Sequence, residues 1–386
     1  MVEKKLNKMD LLFSEWNEKY STLDKVFNMS SEEIIQEVLD SGLKGRGGAG
    51  FPTGLKWKFA AAEKSEVKYV VCNADEGEPG TFKDRELLEK VPRKVFAGMA
   101  ICGRATGAKK GILYLRAEYR YMLPHLYEKL EYFHKHVEEM GCNFRIEIFV
   151  GNGAYVCGEE TALIESMEGN RGEPRNKPPY PIQNGYLGKP TIVNNVETLA
   201  QVIMIFRLGS KEYSNLGTAD QAGTKLFSIS GDSPKEGLYE IELGMSLKAF
   251  VDEFGDGDTK AVQVGGVAGF CVPRKNFDTA IIGEGNTTGG ATMIFNSKRS
   301  MYRVLHNYLD FFEEESCGQC TPCRVGCQQL KKGIESVKSG KRPASYLDQL
   351  LKLTETMQVT SKCGLGQSVA NSFSSILENF REEMVY

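Results

Sequence analysis

Hydrophobic residues follow two different periods along this chain. Short β-branched runs at 67–72, 111–115 and 145–150 have the length and composition of buried strands. Helical patterns alternate with these runs, at 31–39, 117–140, 159–168 and 195–208. Strands that alternate with helices predict an α/β domain with a mainly parallel sheet.

The pattern changes beyond residue 224. Three short strands, at 226–230, 238–242 and 261–264, surround one short helix at 247–254, which predicts a small α+β domain. After residue 300 the pattern is entirely helical, with a cysteine-rich loop between the first two helices. The chain therefore divides into an α/β part, an α+β part and a helical part.

Composition and charge narrow the function classes. The 386 residues carry a net charge of −3, which gives no reason to expect a nucleic acid partner. The N-terminus lacks an apolar signal core, and no apolar run is long enough to span a bilayer. We expect a cytoplasmic protein without direct membrane insertion, held on the inner face of a membrane, if at all, through its partners.

The last quarter of the chain holds half of its ten cysteines. Cys317, Cys320 and Cys323 are separated by two residues each in a loop with glycine and proline, so their thiolates can point at one centre. Cys327 and Cys363 are the two candidates for a fourth ligand. Cys327 completes a C-x2-C-x2-C-x3-C run, but no proline follows it and no second set of cysteines exists. We predict Cys363, because the glycines that follow it let backbone amides approach sulfur.

A structural zinc ion is the alternative interpretation of four thiolates, and spacing alone does not exclude it. Zinc is not redox-active, so signals for flavin and nucleotide elsewhere in the chain favour an iron–sulfur cluster.

Glycine is dense between residues 42 and 54, where 45–50 matches G-x-G-x-x-G. A predicted helix rather than a strand precedes this match, so a tight turn between helices is the simpler interpretation. Arg46 and Lys56 nevertheless add positive charge to exposed amides, which together suit an anion. Aromatic side chains able to stack on a base or a flavin follow: Phe51, Trp57 and Phe59.

A second glycine turn, 151–153, joins the strand at 145–150 to a helix that begins with Glu159 and Glu160. Ligands of open α/β sheets bind at such carboxyl ends of strands. The two carboxylates would repel a phosphate, so we expect them to face ribose hydroxyls, nicotinamide or a flavin ring, unless they only stabilise the start of the helix.

Polar residues follow two further predicted elements. Asp75, Glu76 and Glu78 come directly after the strand at 67–72, where they suit a ligand site, a pair of hydrolytic carboxylates or a solvated loop. Asn194 and Asn195 precede a helix, where they could bind a flavin or a phosphate or cap that helix.

Together these segments resemble the flavoprotein, NADH-binding subunits of respiratory complex I and the related diaphorase subunits of NAD-linked or electron-bifurcating hydrogenases and formate dehydrogenases. The matching segments follow the order of the family, at 42–57, 73–85, 151–169, 171–181, 188–199, 315–326 and 363–368. The resemblance implies FMN, NAD(H) and one 4Fe-4S cluster as cofactors. It also implies hydride transfer between NADH and FMN, followed by single-electron transfer to the cluster and to partner subunits.

The resemblance also gives names to the parts of the chain. It implies an N-terminal helical segment over 1–41, a Rossmann-like FMN- and NADH-binding domain over 42–215, a ubiquitin-like (β-grasp) domain over 216–300 and a helical 4Fe-4S domain over 301–386. A thioredoxin-like 2Fe-2S subunit and a larger iron–sulfur or catalytic subunit are the implied partners. The 2Fe-2S and ferredoxin-like domains of some bifurcating relatives are not recognised here, so we expect partners to carry electrons onward.

The resemblance assigns a role to each matching residue. The FMN-binding residues would be Gly45, Arg46, Gly47, Gly48, Lys56, Asn73, Asp75, Glu76, Tyr155, Gly158, Glu159, Asn194, Asn195 and Thr198. The NADH-binding residues would be Gly50, Phe51, Phe59, Glu78, Glu160, Lys177 and Tyr180. The cluster ligands would be Cys317, Cys320, Cys323 and Cys363. No side chain acts as a nucleophile in this scheme, since the cofactors carry the chemistry and Glu78 and Glu160 position NADH.

Glu160 would also favour NADH over NADPH, by repelling a 2′-phosphate. Departures from the family are Tyr180, where Phe is usual, Arg93, where His is usual, and the additional Cys327. Two other functions stay open at this point: a zinc-stabilised nucleotide-binding module without redox activity, and a hydrolase that uses Asp75 and Glu78.

Overall fold

The computed structural model describes residues 6–14, 21–282 and 289–385. The strands, in chain order, are β1 (Lys8–Met9), β2 (Tyr69–Ala74), β3 (Lys110–Leu115), β4 (Arg145–Val150), β5 (Thr191–Asn195), β6 (Thr224–Gly231), β7 (Gly237–Glu242), β8 (Thr259–Val264), β9 (Phe270–Pro273) and β10 (Ala291–Asn296). The α-helices are α1 (Ser21–Phe27), α2 (Ser31–Asp40), α3 (Thr53–Ala62), α4 (Lys83–Lys90), α5 (Pro92–Thr106), α6 (Leu123–Glu139), α7 (Glu160–Met167), α8 (Val196–Leu208), α9 (Ser210–Ser214), α10 (Leu247–Phe254), α11 (Met301–Glu315), α12 (Thr321–Lys338), α13 (Tyr346–Thr360) and α14 (Gly364–Asn379).

A four-stranded parallel sheet forms the centre of the first part of the chain, in the order β4-β3-β2-β5. Its strands are apolar because helices cover both faces, and Val70, Val71 and Cys72 in β2 are fully buried. The chain runs outward from β2 to β4 and then returns to the other side of β2 as β5. The sheet therefore has a topological switch point between β2 and β5, where ligands of such sheets bind.

The helices on one face of this sheet pack unusually closely. A Cβ on Gly98 in α5 would lie 2.1 Å from the backbone oxygen of Leu199 in α8, so only glycine permits this approach. A capping box begins α2, in which the side chains of Ser30 and Glu33 each accept from the other residue's backbone amide.

A six-stranded mixed sheet forms the second part, in the order β1-β7-β6-β10-β8-β9. β6 and β10 are parallel, the other neighbours are antiparallel, and α10 packs its apolar face on the sheet. β1 comes from the N-terminal segment and pairs with β7. The resemblance implied a helical N-terminal segment, and the sequence patterns did not predict β1, β5, β9 or β10.

The C-terminal part is a bundle of α11, α12, α13 and α14, closed around a core that includes Leu305, Phe312 and Phe373. The cysteine loop lies between α11 and α12, and α14 begins directly after Cys363. The predicted fold class is confirmed: a parallel α/β unit, a smaller α+β unit and a helical C-terminal region. In the part of the chain that the structure describes, no helix is both long and apolar enough to cross a membrane.

Candidate functional site

A cavity of about 510 Å³ lies at the carboxyl edge of the parallel sheet, at the switch point between β2 and β5. All three parts of the chain contribute to its wall. The parallel-sheet unit supplies the largest share, with Gly47, Gly48, Ala49, Asn73, Asp75, Glu76, Gly77, Glu78, Thr81, Lys83, Asp84, Tyr155, Val156, Gly158, Glu159 and Asn195. The other two units supply Gly265, Ala268, Gly269, Phe270 and Gly289, and Cys363, Gly364, Leu365, Gln367, Ser368 and Asn371.

The glycine loop at 45–50 forms one wall through its backbone. The amide of Gly45 donates to the carbonyl of Phe51 at 2.9 Å and closes the loop. Gly48 has a φ of 128°, and a Cβ on Gly47 would lie 2.9 Å from the Cβ of Asn195. Side chains at these two positions would therefore strain the backbone or displace Asn195, so glycine lets this loop approach a ligand closely.

The two cationic residues in and near this loop, Arg46 and Lys56, are not among the residues that line the cavity. The Arg46 guanidinium is buried and donates to the carbonyl of Ala222 at 2.6 Å, while its backbone amide donates to Thr198 Oγ1 at 2.8 Å. Lys56 Nζ lies 3.1 Å from the carbonyl of Val193 and 3.3 Å from Glu160 Oε2. The structure therefore brings the loop backbone to the cavity wall but turns the Arg46 side chain away from it.

Lys83 is a cavity residue that the sequence patterns did not single out. Its buried amine contacts Asp84 Oδ1 at 2.7 Å, Asn195 Oδ1 at 3.1 Å and Glu197 Oε2 at 3.1 Å. Burial alone would lower the pKa of Lys83, but Asp84 and Glu197 outweigh burial and raise it. A fixed positive charge therefore lies in the cavity wall. The only signal for Lys83 in the sequence was its position a few residues after the acidic residues Asp75, Glu76 and Glu78.

The paired asparagines show one of their predicted roles, because Asn195 caps a helix. Asn195 Oδ1 accepts from the amide of Glu197 at 3.0 Å and caps α8, while its Nδ2 donates to Asp84 at 2.6 Å. Asn194 Oδ1 accepts from the indole of Trp57 at 3.0 Å. Asn195 is therefore both a helix cap and part of the cavity wall, and Trp57 is a buried core residue rather than an exposed stacking face.

The carboxylates of the acidic loop, Asp75, Glu76 and Glu78, have different surroundings. Asp75 Oδ2 is buried at the cavity without a hydrogen-bond partner among the described residues, and burial raises the pKa of Asp75 to about 7. Glu76 accepts from the amides of Asp84 and Arg85 at the start of α4, at 2.9 and 3.1 Å. Burial and the nearby Asp84 raise the pKa of Glu76 to about 7 as well.

Glu78 joins the three parts of the chain. Its carboxylate accepts from the Tyr155 hydroxyl at 2.6 Å and from the amide of Ala268 at 3.0 Å. The amide of Tyr155 in turn donates to Glu315 at the end of α11, at 3.1 Å, and Asn371 of α14 donates to the carbonyl of Ala268 at 3.0 Å. Because Glu78 is engaged in this junction, it does not form a free carboxylate pair with Asp75.

A compact cluster of four charges lies at the start of α7. Lys177 Nζ contacts Glu159 Oε1 at 2.7 Å and Glu160 Oε1 at 3.2 Å, and Lys56 contacts Glu160 from the other side. Glu159 also caps α7 by accepting from the amides of Thr161 and Ala162. The local charge is balanced, with two lysines against two glutamates.

Three of the predicted ligand-stacking aromatics are exposed. Phe51, Phe59 and Tyr180 are 44%, 46% and 51% exposed, which is high for side chains of their size. Large exposed apolar rings commonly mark a binding surface.

The remaining predicted residues divide between the cavity wall and its surroundings. Asn73 and Gly158 are joined by a hydrogen bond of 2.8 Å, and both line the cavity. The predicted FMN-binding set is only partly brought together, because its other members are not among the wall residues: Gly45, Arg46, Lys56, Asn194 and Thr198. Of the predicted NADH-binding residues, only Glu78 lines the cavity.

Four cysteines line a second, smaller cavity. They are Cys317, Cys320, Cys323 and Cys363, and Cys327 is not among its wall residues. Cys327 is fully buried one helical turn beyond Cys323. A hydrogen bond from the Cys327 thiol and a second from Ser316 lower the pKa of Cys323 to about 7. Burial raises the pKa of Cys363 to about 11, although the amides of Leu365 and Gly366 donate to its sulfur and oppose that rise.

These donors suit an iron–sulfur cluster. Four cysteine thiols surround one cavity, and the amides of Leu365 and Gly366 donate to the sulfur of Cys363, which are the ligands and hydrogen bonds that such clusters take.

The two cavities share a wall. Val156, Cys363 and Leu365 line both the large cavity at the sheet edge and the cysteine cavity. The cysteine loop is fixed against the parallel-sheet unit by Arg171, which donates to the carbonyl of Cys317 at 2.7 Å, and by Gln319, which donates to Glu173 at 3.2 Å. Groups bound in the two cavities would therefore be separated only by this wall.

Comparisons with known proteins agree with this arrangement. A family model described as the Nuo51 FMN-binding domain matches residues 38–204, and one described as the NADH-ubiquinone oxidoreductase-F iron-sulfur binding region matches residues 303–386. The NADH-quinone oxidoreductase F subunit of Aquifex aeolicus is 42% identical over 379 residues, which cover 94% of this chain and 88% of that protein.

Two hydrogenase relatives are longer. The alpha subunit of the NAD-reducing hydrogenase HoxS of Cupriavidus necator is 46% identical over 370 residues, covering 94% of this chain and 62% of that protein. A chain in a crystal structure of the H2-reduced NAD+-reducing NiFe hydrogenase superposes with a TM-score of 0.87 at 43% identity, covering 94% of this chain and 64% of that chain. This chain thus spans less than two thirds of these two relatives.

The position of the fourth cysteine ligand is testable by substitution. Cys363→Ala should abolish a 4Fe-4S cluster because it removes a thiolate from the cavity wall, whereas Cys327→Ala should keep the cluster. Iron and sulfide content per chain measures the outcome, and circular dichroism checks that both variants are folded. Loss of iron in Cys327→Ala with retention in Cys363→Ala would assign the ligand to Cys327 instead.

The unpartnered Asp75 carboxylate predicts a pH-dependent stability. Its folded pKa of about 7 lies above the unfolded value of about 4, so the wild type loses stability as pH rises between these values. In FMN-free protein, the free energy of unfolding of Asp75→Asn, taken relative to that of the wild type, should therefore rise by about 3 kcal/mol from pH 5 to pH 8. Denaturant unfolding at several pH values measures this gain.

Asp232→Asn is the matched control for Asp75→Asn. Arg299 lowers the pKa of Asp232, so this carboxylate is ionised in both the folded and the unfolded chain throughout that range. The stability difference between Asp232→Asn and the wild type should stay constant from pH 5 to pH 8. An equally constant difference for Asp75→Asn would show that Asp75 does not titrate as described.

Proposed function

The chain belongs to the family of NADH-quinone oxidoreductase F subunits and NAD-reducing hydrogenase alpha subunits, and from that premise we propose that it oxidises NADH and delivers single electrons to partner subunits. FMN bound in the large cavity would accept a hydride from NADH and release its electrons one at a time to a 4Fe-4S cluster. The observation that carries the proposal is the wall of Val156, Cys363 and Leu365 that the two cavities share.

The FMN-binding role of the sheet-edge residues is part of this proposal. The cavity wall holds Gly47 of the glycine loop, the Asn73 and Gly158 pair, and the Asp75 carboxyl oxygen that has no partner among the described residues, and these groups could contact a flavin. Lys83 supplies a fixed positive charge in the same wall. Arg46 and Thr198 act from behind the wall, because their mutual hydrogen bond holds the glycine loop in place.

The NADH-binding role of the exposed aromatics is the second part. Phe51, Phe59 and Tyr180 present apolar rings to which an adenine could bind. Glu160 already contacts Lys56 and Lys177, so much of its negative charge is offset. The repulsion of a 2′-phosphate by Glu160 is therefore weaker than the sequence alone suggested, and the preference for NADH stays a prediction.

The electron acceptor is proposed to be another subunit. Cys320 is partly exposed, and two exposed valines lie close in sequence to cluster cysteines. Val325 in α12 and Val359 near the end of α13 are 42% and 81% exposed. Exposed apolar side chains suit a protein partner. A thioredoxin-like 2Fe-2S subunit and a larger iron–sulfur or catalytic subunit remain the expected partners.

Removal of the cluster should separate the reduction of the flavin by NADH from the transfer of electrons to the cluster. Cys320→Ala removes one cluster ligand without touching the large cavity, so the variant should lose the cluster's electron paramagnetic resonance signal. It should still reduce an artificial dye with NADH, because the dye can take electrons from the flavin. The rate of ferricyanide reduction per bound FMN measures this, and a rate that falls in proportion to cluster loss would contradict the proposed division of roles.

A further inference from the structure

One of the four cysteine sulfurs has side-chain donors of its own. Ser316 Oγ lies 3.2 Å from Cys323 Sγ, and the amide of Gly318 donates to the same oxygen at 3.3 Å. Because the amide occupies a lone pair of the hydroxyl oxygen, the hydroxyl proton is available to sulfur. Ser316 is therefore the donor when Cys323 is a thiolate ligand, since a thiolate has no proton to give.

A second donor approaches Cys323 from its own helix. Cys327 lies four residues further along α12, which places its fully buried side chain on the same helix face as Cys323. The Cys327 thiol does not belong to the cysteine cavity wall. It can therefore keep its proton and donate to the Cys323 sulfur from behind.

A third polar group, the Ser361 hydroxyl, lies on the same side of the cysteine cavity as Cys323. Ser361 is 5% exposed, and its hydroxyl has no hydrogen-bond partner among the described residues. A Cβ on Gly366 would lie 2.6 Å from Ser361 Oγ and 2.9 Å from the Cβ of Cys323, so both groups border the space above this glycine. A buried hydroxyl without a partner is unusual, and an acceptor on the cluster side would satisfy it.

We propose that Ser316, Cys327 and Ser361 form a set of side-chain donors on the Cys323 side of the cluster that raises its reduction potential. The proposal rests on the proposed function, because it requires a redox-active cluster. Reduction adds one negative charge to the cluster, and hydrogen bonds to its sulfurs stabilise the more negative form. The cluster thereby becomes a better acceptor for electrons that arrive through the shared wall.

The test is a redox titration of the cluster in the complete, cofactor-loaded chain, followed by electron paramagnetic resonance. Ser316→Ala, Cys327→Ala and Ser361→Ala should each lower the ratio of reduced to oxidised cluster at a fixed potential by about tenfold, which is a shift of about 59 mV for a one-electron couple. Cys327→Ser keeps a donor at the same position and should stay close to the wild-type midpoint.

Ser339→Ala is the matched control, because Ser339 lies at the far end of α12 and donates to the carbonyls of Glu335 and Ser336. Its midpoint should equal that of the wild type. If a serine variant fails to assemble the cluster, the comparison of Cys327→Ala with Cys327→Ser decides the question. Intact cluster signals with unchanged midpoints would overturn the inference and leave the proposed function standing, whereas a wild-type chain that cannot hold a redox-active cluster would overturn the proposed function itself.

Discussion

The arrangement of the site depends on one close contact, between the start of α14 and the turn that precedes α7. Cys363, the residue before α14, lines both cavities, and Val156 on the opposite turn does the same. This contact exists only while the helical bundle is held against the parallel sheet. The hydrogen bonds from the Tyr155 amide to Glu315 and from Arg171 to the carbonyl of Cys317 hold it there.

A buried network of charges supports the other side of the large cavity. Glu197 is fully buried, and although burial raises its pKa, Lys225 and Lys83 outweigh burial and lower it. Lys83 extends the same network to Asp84 and Asn195 in the cavity wall. Removal of one partner from such a buried set typically costs about 3–5 kcal/mol, because it leaves an uncompensated charge. The shape of this part of the cavity wall and the position of the Lys83 amine are thus fixed together, before any ligand binds.

The sequence predicted several elements with a clear period but missed the helices α3, α4 and α5. α5 is buried on nearly all sides, so it lacks a polar face that would reveal a helical period. β2, β3 and β4 follow from β-branched runs, and the bundle follows from helical spacing after residue 300. β5 was missed because it has five residues and ends in two asparagines, which are more typical of a helix start. β1 was missed because two residues carry no periodic signal, and its pairing with β7 depends on contacts distant in sequence.

The residues of the candidate site were likewise predicted only where a local sequence pattern marked them. The cysteines, the glycine loop and the acidic loop carry local signals, so their positions were predicted. Lys83 was not, because a lysine in the first turn of a helix is usually solvated, and its burial depends on Glu197, which is distant in sequence. The inward turn of Arg46 was missed for the same reason, since its acceptor is the carbonyl of Ala222.

The central claim is that electrons pass from the large cavity to the cysteine cavity within this one chain. The most direct measurement is to mix the isolated, cofactor-loaded chain with NADH under anaerobic conditions and freeze it rapidly. Flavin absorbance and the paramagnetic signal of the reduced cluster are then followed over time. The account predicts that flavin bleaching is followed by reduction of the cluster without any partner subunit. Flavin that bleaches fully while the cluster stays oxidised would contradict it.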